Sequence, residues 1–214
     1  MGKVIAVIGN KGGTGKTTIS HLLAHGLGLY GKSAISVLTD ETREPLLRQN
    51  RRYVPLDART PVQLERIMER IHSLPTWIGV IDGGGNRAEM DAQLYSLADL
   101  VLLPFRDSHE DIRTVLNDLE TFPNAWGLPS QWPTNAWQQM AAERNIDELM
   151  PDYRPRLLEP VYSVSSSKLL LQSDTPFALP TVLNNMARRL AMQVLELLEI
   201  PLVEDGVPPP DSAQ

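Results

Sequence analysis

The sequence contains no cysteine, which removes several classes of chemistry at once. Without thiols the chain cannot form disulfides, hold zinc or an iron–sulfur cluster through thiolates, or use a cysteine nucleophile. Long hydrophobic runs are also missing: the apolar stretches reach no more than six residues, against the ~20 that a membrane-spanning helix needs. We therefore expect a soluble, cytoplasmic protein.

Positively charged residues are fewer than negatively charged ones, and lysine is much scarcer than arginine. Twenty Lys and Arg against 26 Asp and Glu give a net charge of −6 at pH 7, so any nucleic-acid binding has to use a local patch. Hydrophobic residues at 42% and charged residues at 21% exclude wholesale disorder. We expect a single domain over residues 1–200 and a disordered, acidic and proline-rich tail over residues 201–214.

Strand-like and helix-like segments alternate along the chain. Continuous short apolar runs predict buried strands, and apolar residues at a spacing of three and four predict helices. The predicted strands are 4–8, 34–38, 77–81, 100–103, 125–128 and 156–161, and the predicted helices are 19–30, 64–71, 90–97, 108–119, 135–150 and 180–199. This order predicts an α/β fold with a mainly parallel, twisted sheet and helices on both faces.

A glycine-rich segment between the first predicted strand and the first predicted helix has the composition of a phosphate-binding loop. It reads Lys11-Gly12-Gly13-Thr14-Gly15-Lys16-Thr17-Thr18. The glycines allow successive backbone N–H groups to point inward at an anion, and the start of the helix adds its positive dipole end. Lys16 supplies a charge for the β- and γ-phosphates, and the Thr17 hydroxyl is a suitable ligand for Mg²⁺.

The loop departs from the common phosphate-loop pattern, because Asn10 stands where the first glycine is expected and Lys11 follows it. In this form it resembles the deviant Walker A motif of the ParA/MinD family of ATPases, which position plasmids, chromosomes and other cargo in bacterial cells. The segment 79–82 resembles the Walker B strand of that family, and the segment 98–104 resembles the strand that follows. The resemblance covers residues 1–122 well and the remainder poorly, and it implies a P-loop NTPase that binds ATP or ADP with Mg²⁺.

The resemblance also implies roles for individual residues. Lys11 would be the signature lysine that reaches across a dimer interface to the nucleotide of the partner, and Asp82 would hold Mg²⁺ together with Thr17. The family usually has two aspartates one residue apart after the second strand, the second of which orients the attacking water. Here the first is missing, and Asp40 or Glu41 can fill the second place. We favour Asp40, which retains hydrolysis; Glu41 would make hydrolysis very slow.

Family members dimerise when ATP is bound, bind DNA without sequence preference and act with a separate centromere-binding or cargo adaptor. We expect the same of this chain, and a nucleoid-associated location, as in the small ParA-like partition branch. A membrane role of the MinD kind is not expected, because the chain ends in an acidic, helix-breaking segment. The candidate DNA-binding residues are Arg51, Arg52, Lys168, Arg188 and Arg189.

The sequence therefore favours an ATP-driven dimerisation switch in partition or cargo positioning, with three alternatives. The segment 40–46 also resembles relatives associated with conjugative and T-DNA transfer. A second alternative is a small-molecule ligase or synthetase, in which Arg87, Glu89 and Asp91 would line a substrate pocket. The third is a scaffold that does not hydrolyse ATP. His21 and His25 are four residues apart on a predicted helix, but no acidic third ligand stands beside them, so we expect them to pack or form hydrogen bonds.

Overall fold

The computed structural model describes residues 1–9, 11–40, 46–83, 88–173 and 178–202. Within these ranges the chain forms one sheet of seven parallel strands. The strands are β1 Lys3–Val7, β2 Ser33–Leu38, β3 Val54–Asp57, β4 Trp77–Asp82, β5 Leu100–Phe105, β6 Ala125–Trp132 and β7 Val161–Tyr162. Their order across the sheet is β3-β2-β4-β1-β5-β6-β7. The first strand therefore lies at the centre, flanked by β4 and β5.

Helices cover both faces of this sheet, as the sequence predicted. They are α1 Lys16–Leu29, α2 Pro61–Ser73, α3 Ala88–Leu97, α4 His109–Thr121, α5 Ala136–Leu149 and α6 Thr181–Leu197, with short 3-10 helices at Pro151–Arg156 and Ser165–Leu171. One hydrophobic core joins the sheet to α2, α3, α4 and α5, and a second joins the opposite face to α1 and α6. None of the described helices is long and apolar enough to cross a membrane.

Local signals account for several helix boundaries. Thr60 caps α2 by accepting a hydrogen bond from the N–H of Gln63, and Pro61 occupies the first turn, where its missing N–H costs nothing. Ser108 caps α4 in the same way through the N–H of Asp111. The first helix stops before Gly31, whose φ of 69° suits glycine. The predicted helices 19–30 and 108–119 end within two residues of the ends of α1 and α4, whereas the predicted helix 64–71 is shorter than α2 at both ends.

Two predictions in the sheet were wrong in detail. Residues 156–161 were expected to form a strand, but Pro151–Arg156 is a 3-10 helix and β7 is limited to Val161–Tyr162. The edge strand β3 was missed, because its four residues include Pro55 and have no alternating pattern. The tail falls, from residue 203 onward, outside the described residues, and the single domain over residues 1–200 stays a prediction.

The parallel arrangement gathers the carboxyl ends of the central strands at one edge of the sheet. Asp82, the last residue of β4, pairs in register with Val7 of β1 and Leu38 of β2. The segments that follow these three strands, including the glycine-rich loop, therefore begin side by side. In parallel α/β sheets this edge is where ligands bind.

Candidate nucleotide-binding site

The glycine-rich loop has the backbone conformation that its sequence predicted. Gly13 has a φ of 79° and Gly15 a φ of 89°, both in the left-handed region that residues with a Cβ avoid. Gly15 directly precedes α1, so the loop ends at a helix amino terminus with unpaired N–H groups. This combination is suited to an anion such as a phosphate group.

Lys16 opens α1 and lies under the loop. Its side chain is buried, and its Nζ donates a hydrogen bond to the carbonyl oxygen of Lys11 at 2.8 Å. Burial lowers the pKa of Lys16, while the nearby carboxylates of Asp82 and Asp91 oppose that shift. The buried Lys16 ammonium group therefore donates to one neutral backbone carbonyl. A negatively charged phosphate group would be a stronger acceptor for it.

The end of β6 supports the loop from the side, which the sequence reading did not assign. Ser130 Oγ donates to the carbonyl oxygen of Thr14 at 2.6 Å, and Gln131 Nε2 donates to that of Gly13 at 2.6 Å. Gln131 adopts a left-handed φ of 51°, an uncommon conformation for a residue with a Cβ. No sequence motif predicts these contacts, because they join residues more than a hundred positions apart.

The predicted metal ligands lie next to this loop. Asp82 is buried at the end of β4, and its carbonyl oxygen accepts a 2.6 Å hydrogen bond from the Thr39 hydroxyl. Thr17 is half-buried in the first turn of α1. A threonine hydroxyl and a carboxylate are hard oxygen donors, so the pair fits Mg²⁺ bound with phosphates. Asp40 is half-buried just beyond β2 at the same edge, and Glu41 lies outside the described residues.

Lys11 is held by its own chain in this structure. Its Nζ lies 2.9 Å from Oε2 of Glu110 and 2.5 Å from Oδ1 of Asp111, in the first turn of α4. Asp111 is buried and also accepts hydrogen bonds from Arg106 and Ser108. Burial alone would raise the pKa of Asp111, but these donors together lower it to about 2. The contacts to Asp111 raise the pKa of Lys11, so both groups are charged at neutral pH.

The three residues proposed for a ligase pocket are only partly described. Arg87 and the side chain of Glu89 lie outside the described part of the chain. Asp91, on α3, is only 5% exposed, and within the described residues neither of its carboxylate oxygens has a hydrogen-bond partner. Burial raises its pKa to about 6, with Lys16 opposing the shift.

Three of the predicted DNA-binding residues surround one buried histidine. Burial lowers the pKa of His25, and the positive charges of Arg52, Arg51 and Arg188 lower it further, against a 2.8 Å hydrogen bond with Asn184. Arg188 also lies over the ring of Tyr30, 5.7 Å from its centroid. Arg51 and Arg52, which follow β2, and Arg188 of α6 therefore lie near the same residue of α1.

Arg51 links this group to the 3-10 helix that carries Lys168. Its guanidinium donates to the carbonyl oxygens of Leu170 and Gln172, at 2.8 Å and 2.6 Å. Lys168 itself is exposed. We refer to Arg51, Arg52, Lys168 and Arg188 as the α1/α6 basic patch.

Arg189 and several further arginines have local acidic or backbone carbonyl partners. Arg189, a predicted DNA contact, faces Glu159 at 3.5 Å. Arg59 pairs with Asp57 at 2.7 Å, Arg154 pairs with Glu143 and Asp147, and Arg156 donates to three backbone carbonyls. The positive charge of these arginines is therefore either neutralised by a nearby acid or directed at backbone carbonyls that it helps to hold in the fold.

The two histidines of α1 take part in internal hydrogen bonds. His21 Nδ1 accepts from the Tyr53 hydroxyl at 2.9 Å and lies 3.3 Å from Ser36 Oγ. Both His21 and His25 are buried. Among the described residues, no cluster of three or more His, Asp or Glu side chains could hold a metal ion.

Comparison with known proteins identifies the fold. No protein-family model and no curated protein sequence matches the chain. Solved structures do match. MinD of Aquifex aeolicus is 15% identical, with 97% of this chain and 99% of that chain covered and a TM-score of 0.69. A Borrelia burgdorferi protein described as a plasmid partition protein, bound to AMPPNP, is 11% identical, with 92% and 100% covered and a TM-score of 0.65.

A biosynthetic enzyme has a similar fold. Cobyrinic acid a,c-diamide synthase of Mycobacterium smegmatis, solved with ADP and magnesium, is 15% identical, with 95% of this chain and 100% of that chain covered and a TM-score of 0.63. At these identities the likeness establishes the fold. The chain folds like the ParA/MinD-type P-loop ATPases, which confirms the predicted fold class.

Proposed function

We propose that this protein is a ParA-like ATPase that works as an ATP-driven dimerisation switch in plasmid or chromosome partition or in cargo positioning. One observation carries the proposal: a loop with left-handed Gly13 and Gly15 ends at a helix amino terminus that begins with the buried Lys16. The resemblance of the loop to the deviant Walker A motif, and the fold shared with MinD and the partition protein, support the ATPase class.

The residues of the loop bind and orient the phosphates. Backbone N–H groups from Gly12 to Thr18 face the anion, and the Lys16 ammonium leaves the Lys11 carbonyl for the β- and γ-phosphate oxygens. Thr17 and Asp82 hold Mg²⁺, which neutralises charge on the phosphates. Asp40 orients the water that attacks the γ-phosphate.

Lys11 couples nucleotide binding to dimerisation. In the isolated chain its ammonium group is paired with Glu110 and Asp111. In the ATP-bound dimer it turns to the nucleotide of the partner and stabilises charge on the transferring phosphate. Such a switch requires ATP to favour the closed dimer over the open chain by several kcal/mol more than ADP does; shifting the ratio fully from one state to the other takes about 5.5 kcal/mol.

DNA binding is proposed for the α1/α6 basic patch. Arg52 and Lys168 are exposed, and Arg188 adds a third charge on the same face. Because the net charge of one chain is −6, we expect measurable affinity for non-specific duplex DNA when two patches are combined in the ATP-bound dimer. A centromere-binding or cargo adaptor is the proposed protein partner.

Two other functions use the same fold. Conjugative or T-DNA transfer would require the same switch with another cargo. A ligase or synthetase is favoured by the likeness to cobyrinic acid a,c-diamide synthase, but it gives Lys11 no role at the nucleotide.

The first test is calorimetric titration of the purified protein with Mg-ADP and Mg-AMPPNP, alongside the Lys16→Gln and Lys168→Gln variants. Loss of a charge-assisted contact to phosphate costs about 1.5–3 kcal/mol, so Lys16→Gln should weaken binding at least tenfold. Lys168 is exposed on the 3-10 helix Ser165–Leu171, so we expect Lys168→Gln to bind nucleotide like the wild type. Absence of binding in the folded wild type would refute the proposal.

ATP turnover separates the alternatives. A switch hydrolyses ATP slowly and faster with DNA and adaptor, a ligase stays nearly inactive until its small substrate is added, and a scaffold shows no turnover. Light scattering with and without AMPPNP then tests dimerisation. A wild type that binds AMPPNP and stays monomeric at micromolar concentration would exclude the switch.

A further inference from the structure

Asp91 is a buried acid close to the Lys16 ammonium group. It lies on α3, only 5% exposed, and neither carboxylate oxygen has a hydrogen-bond partner within the described part of the chain. Buried carboxylates in proteins are normally paired or hydrogen-bonded, since the ionised form is costly to bury otherwise. Asp91 therefore lies close to the balance between its charged and neutral forms.

The charged and titratable groups around Asp91 come from three helices. Lys16 on α1 is the cation that favours its ionised form, Asp118 on α4 opposes ionisation, and Tyr95 lies one turn further along α3. Lys16 also interacts with Asp82 of β4, so one positive charge stabilises the ionised forms of two acids. Burial raises the pKa of Asp91 to about 6 despite Lys16. Near neutral pH the carboxylate is mainly ionised, and the charge of Lys16 favours that form.

A nucleotide changes this balance. If the loop binds phosphates as proposed above, the Lys16 ammonium turns to them and brings their negative charge close to Asp91. The cation that stabilised the carboxylate is then engaged elsewhere, and new negative charge repels it, so the neutral acid becomes the favoured form.

We propose that Asp91 makes nucleotide binding proton-coupled: the buried carboxylate takes up one proton from solvent as the phosphates enter the loop beside Lys16. The inference rests on the proposed function, because it requires the loop to bind a nucleotide. The step is a simple protonation, in which a solvent proton adds to the carboxylate and no other bond is made or broken. A triphosphate carries more negative charge than a diphosphate, so the coupling is stronger for ATP than for ADP.

The direction of the pH dependence follows from this linkage. Below the pKa of free Asp91 the acid is neutral with and without nucleotide, and Asp91 adds no pH dependence. Above that pKa, binding requires a proton that the free protein lacks, so the affinity falls as pH rises, by at most about tenfold per pH unit for a single group.

The test is calorimetric titration of the full chain with Mg-AMPPNP and Mg-ADP near neutral pH, in two buffers with different enthalpies of ionisation. For the wild type the measured heat should change with the buffer as expected for proton uptake, and more so with AMPPNP. In Asp91→Asn the part of the buffer dependence that is due to proton uptake by Asp91 should disappear. At about pH 8 the variant should bind AMPPNP at least threefold more tightly than the wild type, while at about pH 5.5 the two affinities should agree. Protonation of the nucleotide itself is common to both proteins and cancels in the comparison.

Asp118→Asn is the matched control, since it removes the neighbouring acid and leaves Asp91 in place; proton uptake should persist. Infrared difference spectra of the wild type provide a measurement that needs no variant, because a protonated carboxyl band should appear on adding AMPPNP. Equal proton uptake in wild type and Asp91→Asn, or no carboxyl band in the wild type, would overturn the inference while leaving nucleotide binding intact. Absence of any nucleotide binding would overturn the proposed function as well.

Discussion

The Lys11 ammonium lies 2.5 Å from Oδ1 of Asp111, a hundred residues further along the same chain. Asp111 is in turn fixed by Arg106 and Ser108 at the start of α4. The lysine that resembles an intermolecular catalytic group is therefore held by its own subunit before any partner arrives. In the proposed switch, ATP-dependent closure would have to compensate for the loss of this contact.

Replacement of Lys11 should separate nucleotide binding from dimerisation. In Lys11→Ala the backbone amides and Lys16 remain, so we expect the affinity for Mg-AMPPNP to change less than fivefold, or by less than about 1 kcal/mol. The AMPPNP-dependent dimer should be lost, because the intermolecular charge contact is gone. Calorimetry and light scattering measure the two effects. A Lys11→Ala protein that still dimerises with AMPPNP would show that the residue has no role across the interface.

Replacement of Asp111 should lower stability in a pH-dependent manner. The pKa of this carboxyl is lowered from its ordinary value of 3.8 to about 2 in the folded chain. A lowered pKa contributes stability that is present above the unfolded value and is lost as pH falls through the folded value. We therefore expect Asp111→Asn to reduce the free energy of unfolding by about 2 kcal/mol at neutral pH, and by progressively less between pH 3.8 and about 2.

Urea unfolding at a series of pH values measures this effect. Asp107→Asn is the control, since the side chain of Asp107 is exposed and the acids that pair with Lys11 among the described residues are Glu110 and Asp111. A loss of stability in Asp111→Asn that is the same at neutral and acidic pH would assign the effect to packing instead of charge.

Two adjacent glycines of the loop should respond differently to substitution. Gly13 has a left-handed φ of 79°, whereas a Cβ added at Gly12 meets nothing within 4 Å and its φ lies outside the left-handed range. Gly13→Ala should therefore cost about 1–2 kcal/mol in the loop conformation, and this strain should weaken Mg-ADP binding. Gly12→Ala should be close to neutral.

Calorimetry with Mg-ADP and thermal unfolding compare these two variants. Because both added methyl groups point into open space, a difference between them reports backbone conformation and not collision. Equal effects of the two substitutions would contradict the left-handed loop geometry.

The neighbouring arginines of α6 provide a matched pair for the DNA-binding proposal. Arg188 belongs to the α1/α6 basic patch, whereas Arg189 faces Glu159 at 3.5 Å. Arg188→Gln should weaken non-specific duplex binding by the AMPPNP-bound protein and reduce the slope of log affinity against log salt by about 1 per lost phosphate contact. Arg189→Gln should have little effect. The salt dependence of fluorescence anisotropy with labelled DNA measures both, and identical slopes for the two variants would argue against the patch.

Local features of this site could be predicted from the sequence, whereas features that depend on long-range contacts could not. The loop, its glycines and the start of α1 were predictable because the relevant residues are contiguous, and their chemistry follows from backbone conformation. The carboxyl end of α1 and the start of α4 were also predictable, since capping depends on residues within one turn. By contrast, β7 and β3 are short, irregular edge strands, and their pairing depends on neighbours distant in sequence.

By itself the sequence determined the α/β fold class, the phosphate-type loop from Lys11 to Thr18 and the acid at Asp82 that ends a buried strand. Only the tertiary structure decided that Asp111 holds Lys11 and that Ser130 and Gln131 support the loop. It also decided that Asp91 is buried near Lys16 with no hydrogen-bond partner among the described residues. The physical reason is that conformational preferences act over a few neighbouring residues. Which residue pairs with a charged side chain, and how deeply that side chain is buried, depends on segments that are distant in sequence and meet only in the folded sheet.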